Sequence, residues 1–334
     1  MTRSERSLSD LPTGSALPNP DAGGGAPEPA RIAVDLLGGD HAPAVVVDGA
    51  LLACGADPFL ELLLVGPATA ADGVLTMLPD RGRVSVLTAD GAVGMSDPPG
   101  MGVRPETSVR TAVAAVAEGR ADAMISAGAS GAVVTAAVHG LGRLRGLRRP
   151  ALVASLPTPV GPVVLLDVGA SVEVSIPVLV QHAALGAVYA RVVHGVEVAR
   201  IGLLSIGAEA GKGDRARRAA AHALAATPGY VGPVEGHDVP RGGPADVVVT
   251  DGFTGNVLLK GIEGAYALAG GAPASTEVPH AAALLGVRGI VVICHGSATG
   301  AELASGIALA ARLHRMGARA RLAVVGPVPA EVGG

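Results

Sequence analysis

The chain has 334 residues, of which 49% are hydrophobic and 1% aromatic, and its formal net charge is −4 at pH 7. This composition supplies a large aliphatic core, but it lacks the basic patches and stacking aromatics of a nucleic-acid groove, so we expect no nucleic-acid partner. The two cysteines, Cys54 and Cys294, are isolated and lack metal-site spacing, which indicates a reducing compartment and no bound metal or other cofactor.

The first 30 residues are rich in Pro, Gly, Ser and Ala and predict a disordered tail, followed by a single α/β domain over residues 31–330. The tail has no apolar segment of the kind found in signal peptides. No uninterrupted apolar run reaches the roughly 18–20 residues of a membrane-spanning helix. We therefore expect a cytoplasmic protein.

Short apolar strands alternate with helices along the rest of the chain. The predicted strands are 32–36, 61–65, 83–87, 121–126, 151–156, 163–167, 200–206, 246–249, 289–293 and 320–325. The predicted helices are one ending near Cys54, 105–119 with Pro105 in its first turn, one ending near Leu144, 176–194, 214–226, 255–269 and 300–316. This alternation predicts a Rossmann-like, three-layer fold: a doubly wound, mostly parallel sheet with helices on both faces.

Six glycine-rich loops follow predicted strands, so we expect them to lie at the same end of the sheet, where ligands bind in sheets of this kind. They are 38–41, 128–131, 167–171, 207–214, 251–256 and 295–300. The free N–H groups and dipole of a helix start bind anions. Each loop taken alone is equally well explained as a short turn with a helix cap.

The chain has only two lysines, Lys212 and Lys260, and both lie in or beside these loops. A lysine ammonium is a compact charge suited to phosphate or to a developing oxyanion, although codon bias alone also explains so few lysines. Neither the Walker A nor the dinucleotide-binding glycine motif is intact, which disfavours a nucleotide site. His41 and His295 are candidate anion donors or acids, or turn-stabilising residues, and Cys294 is interpreted as a core residue.

Together these segments resemble the bacterial phosphate acyltransferase (PlsX) family of phospholipid synthesis. The resemblance is collinear from about Arg31 to Arg312. It is carried by Val34–Pro43, Ser126–Gly128, Leu165–Ala170, Glu209, Gly211–Gly213, Val234–Gly236, Ala245–Lys260, Ala283–Val287 and Ile293–Ser297.

The resemblance implies transfer of an acyl group from acyl carrier protein (acyl-ACP), or from acyl-CoA, to inorganic phosphate. It also implies a homodimer and a downstream membrane acyltransferase that uses the acyl phosphate. The predicted catalytic residues are Lys212, Lys260, His295 and Asn256; the predicted phosphate-binding residues are Gly128, Ser130, Gly131, Gly39 and His41; and Asp35, Asp167, Glu209 and Asp251 are predicted to support them. Replacing either lysine with alanine is expected to lower acyl-phosphate formation at least about tenfold.

Three features depart from the family pattern. Ala129 replaces an asparagine, and the segment Asp97–Arg104 has one arginine where the family has a basic run. About 25 residues separate Lys260 from Leu285, so the segment 261–284 is predicted to be shortened where the family has a long helical excursion linked to dimer and membrane contacts. Weakened membrane association is one expected consequence.

Two other functions remain open. One is a phosphotransacetylase-like enzyme that uses short-chain acyl-CoA, and a small closed cavity would favour it. The other is a non-catalytic paralogue that binds acyl groups or phosphate, which the Ala129 change and the shortened segment support.

Overall fold

A computed structural model describes residues 27–77, 81–209, 211–271 and 281–323. Residues 1–26, which make up most of the predicted disordered tail, lie outside the described residues. The predicted boundary is slightly late, because Ala30 already belongs to the first strand and is fully buried.

The described part of the chain forms one sheet of eleven strands. They are β1 (Ala30–Asp35), β2 (Leu60–Val65), β3 (Val84–Leu87), β4 (Ala123–Ser126), β5 (Ala151–Leu156), β6 (Val163–Leu166), β7 (Ile201–Ser205), β8 (Tyr230–Glu235), β9 (Val247–Val249), β10 (Ala281–Leu285) and β11 (Ile290–Cys294). Their spatial order is β3-β2-β1-β4-β11-β10-β5-β6-β9-β7-β8.

Helices cover both faces of the sheet, as predicted. They are α1 (Ala44–Ala56), α2 (Ala68–Met77), α3 (Ser108–Ala117), α4 (Ser130–Leu141), α5 (Ile176–His194), α6 (Arg215–Leu224), α7 (Gly252–Leu268), α8 (Gly300–Arg315) and α9 (Ala318–Leu322). Residues of α3, α4 and α7 pack in the core on one face, and those of the other six helices pack in the core on the opposite face. The three-layer α/β prediction is confirmed.

The strand directions divide the sheet into two halves. Seven of the ten neighbouring pairs are parallel, but β10 is antiparallel to both β11 and β5, and β5 is antiparallel to β6. Strands β1–β5 and β11 therefore run one way and β6–β10 the other. The glycine-rich loops consequently form two groups, one at each end of the strands. The expectation that they all lie at one end of the sheet is wrong.

Several elements differ from the sequence prediction. The structure adds α2, β8 and β10, which were not predicted. The predicted strand at 320–325 is wrong over 320–322, where α9 continues after Gly317 adopts a left-handed conformation (φ +62°); residues 324 and 325 lie outside the described residues. A short apolar run is compatible with either a strand or a helix turn, which explains the error. Pro105 precedes α3, whose N-cap is Thr107.

Helix α5 reaches the length and mean hydropathy of a membrane-spanning helix, which the sequence prediction did not anticipate. Within its most apolar window, 61% of the residues are buried inside the fold. A buried core helix of a globular domain gives the same signal.

Candidate active site

Three loops converge at the carboxyl ends of β1, β4 and β11. The Asp40 N–H donates to the carbonyl oxygen of Gly296 at 2.8 Å, which joins the β1 loop to the β11 loop. A Cβ at Gly38 would lie 2.6 Å from Ser126 Oγ and 2.8 Å from Gly128 N, so only glycine fits between the β1 and β4 loops. The structure thus brings together three of the six predicted loops.

Asp35, at the end of β1, connects this strand to α3 and β4. Its carboxylate accepts hydrogen bonds from Ser108 Oγ and Ser126 Oγ, both at 2.6 Å, and Ser126 Oγ accepts one from the Gly128 N–H at 3.0 Å. Burial raises the pKa of Asp35, while the hydroxyl and amide donors act in the opposite direction. Its position is consistent with the supporting role predicted for it.

The start of α4 is a candidate anion site in this group. Its N-cap, Ala129, has no side-chain oxygen to occupy the first-turn amides, and the N–H groups of Ser130 and Gly131 have no partner among the described residues. Such a helix end favours an anion by about 0.3–1 kcal/mol at the surface and up to ~2 kcal/mol when partly buried. The Gly128 amide, in contrast, is already bonded to Ser126.

The remaining three loops lie at the opposite end of the sheet, at the carboxyl ends of β6, β7 and β9. Asp167 is fully buried and accepts four backbone N–H bonds of 2.8–3.1 Å, three of them from its own loop. Burial raises its pKa, and the amides oppose that shift. The Gly252 N–H donates to the Ser171 carbonyl at 2.9 Å, so this loop fixes the start of α7.

Asp251 caps α7 and forms its ion pair with an arginine, not with either of the two lysines. Its carboxylate accepts from the Thr254 N–H at 2.9 Å and forms an ion pair with Arg217. Burial acts to raise the pKa of Asp251, but the Thr254 hydrogen bonds and the Arg217 charge outweigh it and the pKa is lowered. Asp251 is therefore ionised and rigidly held.

Helix α7 connects the two groups of loops. Near its start, Asn256 Nδ2 donates to the Val168 carbonyl at 3.0 Å. Lys260 follows one turn later, eight residues and ~12 Å of helix beyond Gly252. One further turn along, Glu263 Oε1 lies 2.8 Å from His295 Nε2, so α7 reaches the β11 loop of the first group.

A cavity of about 910 Å³ lies between α4, α7, α8 and the ends of β5 and β11. Four of the predicted site residues line it: Ser130, Asn256, Lys260 and His295. Its other walls are mainly aliphatic, including Leu152, Leu156, Leu259, Ile293 and Leu309. The structure therefore places three of the four predicted catalytic residues in the lining of one cavity that also includes Ser130 at the start of α4.

The other predicted site residues lie elsewhere. Lys212 and Glu209 are exposed in the loop after β7 and do not line this cavity, so the structure separates the two lysines. His41 is exposed, and Gly39 adopts a left-handed conformation (φ +119°) where the β1 loop passes Ala127 and Gly296. Neither lines the cavity.

Sequence reasoning missed Glu263. It lies one helical turn after Lys260, but its partner His295 comes from 32 positions further along the chain, so no local motif reveals the pair. Cys294 is buried in the cavity wall, as predicted. Burial, and then the charge of Glu302, raise the pKa of its thiol to about 12, so it stays neutral and is a poor nucleophile.

Among the residues that the structure describes, no group of three or more His, Cys, Asp and Glu side chains is arranged to hold a metal ion.

Solved structures share the α/β fold of this molecule. A phosphotransacetylase from Streptococcus pyogenes has the same fold, with a TM-score of 0.60 and 16% identity over 84% of this chain and 94% of that one. A 4-hydroxythreonine-4-phosphate dehydrogenase from Klebsiella pneumoniae is similar with a TM-score of 0.54 and 18% identity, covering 86% of this chain and 99% of that one. At these identities the likeness shows the fold alone.

The chain belongs to the family described as "Fatty acid synthesis protein", whose sequence model matches residues 30–271. Proteins named phosphate acyltransferase are similar over most of its length. The protein of Desulfitobacterium hafniense is 38% identical, over 80% of this chain and 88% of its own, and that of Bacillus subtilis is 45% identical, over 70% and 71%. The protein of Thermobifida fusca is 39% identical over 85% of this chain and 88% of its own. The family resemblance is confirmed, and the chain is an enzyme of the acyltransferase class.

Proposed function

We propose that this protein transfers an acyl group from the thioester of acyl-ACP to inorganic phosphate, which yields acyl phosphate and free ACP for phospholipid synthesis. The observation that carries the proposal is the shared cavity. One aliphatic cavity is lined by a helix start with unpaired amides, a lysine, a carboxamide and a histidine–glutamate pair. These are the groups that a phosphate, a thioester carbonyl and a leaving thiolate require.

Phosphate binds at the start of α4 in this proposal. The N–H groups of Ser130 and Gly131 and the Ser130 hydroxyl donate to its oxygens, and the Lys260 ammonium balances its charge. Phosphate is already an anion at neutral pH, so the enzyme needs no serine or cysteine nucleophile. Its main task is to hold phosphate against the carbonyl in a reactive orientation.

The reaction then follows from the positions of the remaining groups. A phosphate oxygen attacks the thioester carbon, and the carbonyl becomes a tetrahedral oxyanion that Lys260 or Asn256 stabilises. The oxyanion collapses, the C–S bond breaks, and the thiolate leaves with a proton from His295 or from solvent. When both ring nitrogens carry a proton, His295 donates its Nε2–H to Glu263 and has its Nδ1–H available for the thiolate. The hydrogen phosphate loses its own proton as the acyl phosphate forms, which restores the ring proton and balances the step.

The size of the cavity favours a long acyl group. About 910 Å³ lies at the upper end of the usual range for small-molecule sites, and a short acetyl-like group would leave most of the aliphatic wall in contact with water. The phosphotransacetylase-like alternative remains an outcome of the test, because the fold is shared.

The assembly state, partners and location are part of the same proposal. Helix α7 exposes Phe253, Val257 and Leu268 to 63%, 58% and 93%, which supports contact with a second copy or with a membrane surface. We propose a cytoplasmic homodimer that associates weakly with the membrane. Its acyl phosphate passes to a downstream membrane acyltransferase.

Hydroxylamine trapping tests the function. Purified protein is mixed with long-chain acyl-ACP and phosphate, and acyl phosphate is captured as the hydroxamate. The proposal predicts phosphate-dependent hydroxamate from acyl-ACP and little from acetyl-CoA. Turnover of acetyl-CoA in preference to acyl-ACP would favour the phosphotransacetylase-like alternative, and no product from either would favour a non-catalytic paralogue.

A further inference from the structure

A second polar cluster borders the cavity on the face of the sheet opposite α7. Ser155, on β5, and Arg312, on α8, both line the cavity. Ser155 is only 6% exposed, and its hydroxyl lies 2.7 Å from Nε2 of His194, the last residue of α5. The reaction described above uses none of these residues.

The hydroxyl of Ser155 is oriented by two buried neighbours. His194 Nδ1 is buried without a partner in the part of the chain that the structure describes, so placing the ring proton on Nε2 avoids an unpaired buried N–H. Tyr189 is the second neighbour of this hydroxyl, and its hydrogen bond with Ser155 acts to lower the Tyr189 pKa against the larger effect of burial, so Ser155 is the donor to it. The Ser155 oxygen accepts from His194, and its O–H turns either to Tyr189 or to a ligand in the cavity.

Arg312 is a cation without an acidic neighbour among the described residues. Nη2 donates to the Val193 carbonyl at 3.1 Å, while Nε is buried with no partner in the described ranges. The carboxylates that line the cavity are engaged elsewhere: Glu263 by His295, and Glu302 in the capping box of Thr299. A half-buried guanidinium whose Nε lacks a partner in the described ranges, in the same cavity as a hydroxyl, favours an anionic oxygen.

Arg312 projects from α8 well beyond the loop that follows β11. The cavity follows one face of α8 from Glu302 to Arg312, ten residues and ~15 Å of helix. A ligand that contacts both ends must therefore be extended, as an acyl thioester is.

We propose that Arg312 and Ser155 form a second anion-binding subsite, which holds a negatively charged group at the far end of the bound thioester from its reacting carbonyl. The inference rests on the proposed function for the identity of the ligand. Two parts of such a substrate carry the required chemistry: a terminal carboxylate on the acyl group, or the phosphodiester of the carrier's pantetheine arm.

Binding of unreactive thioether analogues tests the subsite without turnover. The reference compound is a methyl-ended alkyl pantetheine; one partner has a terminal carboxylate on the alkyl chain, and the other has a phosphate on the pantetheine. Titration calorimetry compares the three on the wild type, Arg312→Gln, Ser155→Ala and Arg191→Gln. Arg191 is exposed on α5, one turn before His194, so its variant controls for the loss of one positive charge.

One of the two charged analogues should bind the wild type at least about tenfold more tightly than the reference, and this advantage should fall below about twofold in Arg312→Gln. It should also weaken several-fold in Ser155→Ala, which keeps the Arg312–Val193 contact, and persist in Arg191→Gln. The favoured analogue identifies the source of the anion. The proposal is overturned if neither charge improves binding, or if the advantage survives in both Arg312→Gln and Ser155→Ala. Failure of the proposed function would show separately, as absence of hydroxamate from acyl-ACP.

Discussion

At the residue scale, the structure assigns different surroundings to the two lysines that the sequence grouped together. Both side chains are exposed, but Lys260 lines the cavity with Asn256 and His295, whereas Lys212 lies in the loop after β7 and does not line it. Spacing along the chain could not show this, because the distinction depends on strand direction.

The lysines should therefore respond differently to mutation. Lys260→Ala removes a cation beside the reacting groups and should lower kcat/KM for acyl-phosphate formation at least about tenfold. Lys212→Ala should lower it by less than about threefold, since that side chain does not line the cavity. Hydroxamate formation at several phosphate concentrations measures both, with melting temperatures as the control for folding. Equal losses would mean that Lys212 also reaches the reacting groups.

Asp35 gives a residue-level prediction about stability. Asp35→Ala leaves the buried hydroxyls of Ser108 and Ser126 without their shared acceptor, which should cost about 1–3 kcal/mol for each group left unpaired. Urea unfolding measures the loss, and Asp40→Ala, which is exposed in the loop that follows β1, is the control. A loss no larger than that of the control would remove Asp35 as the organiser of these loops.

At the element scale, α7 positions the site because its first turn lies against the Asp167 loop. A Cβ at Gly255 would collide with the carbonyl oxygen of Asp167, while a Cβ at Gly264 would meet nothing within 4 Å. Close backbone contact at the start of the helix thus fixes the direction in which Asn256 and Lys260 project.

Two glycine substitutions on this helix should have opposite effects. Gly255→Ala should destabilise the protein by about 1–3 kcal/mol and reduce activity, because α7 must move away from Asp167. Gly264→Ala should stabilise it by up to about 1 kcal/mol, since alanine loses less conformational entropy in a helix. Thermal unfolding and hydroxamate formation measure the two variants. A neutral Gly255→Ala would show that the contact does not position α7.

Helix α5 makes stability sensitive to acid. Burial lowers the pKa of both His182 and His194 from 6.5 to about 4. Because the unfolded chain binds these protons more readily, the free energy of unfolding should fall as pH drops from about 6.5 to 4, by up to about 3 kcal/mol for each histidine. Urea unfolding across this range checks the slope, and His182→Asn should flatten it. A wild-type slope unchanged by that substitution would contradict the assignment to His182.

At the scale of the whole molecule, the sequence predicts the layers of the fold better than the path of the chain. Buried strands are continuously apolar in either direction, so the pattern that predicted β5, β6 and β11 could not show that β5 and β6 are antiparallel. Strand β10 is Ala-Ala-Ala-Leu-Leu, which has neither the alternation nor the β-branched residues that indicate a strand. Residues of β5 and β10 line the cavity, so its shape depends on the direction of β5 and on the presence of β10.

The candidate site was predictable to the extent that it rests on local motifs. The start of α4, Asn256, Lys260 and His295 lie in recognisable segments. Glu263, Ser155 and Arg312 join the cavity only through tertiary packing, and no short motif identifies them. Their places in the cavity lining form only when the chain folds.

Phosphorus NMR of the purified protein with long-chain acyl-ACP and inorganic phosphate tests the proposed reaction most directly. We expect an acyl-phosphate signal that grows in equal amount with free ACP thiol, and that is at least about tenfold slower to appear with Lys260→Ala. Thiol release that does not depend on phosphate, with free fatty acid as the product, would contradict it.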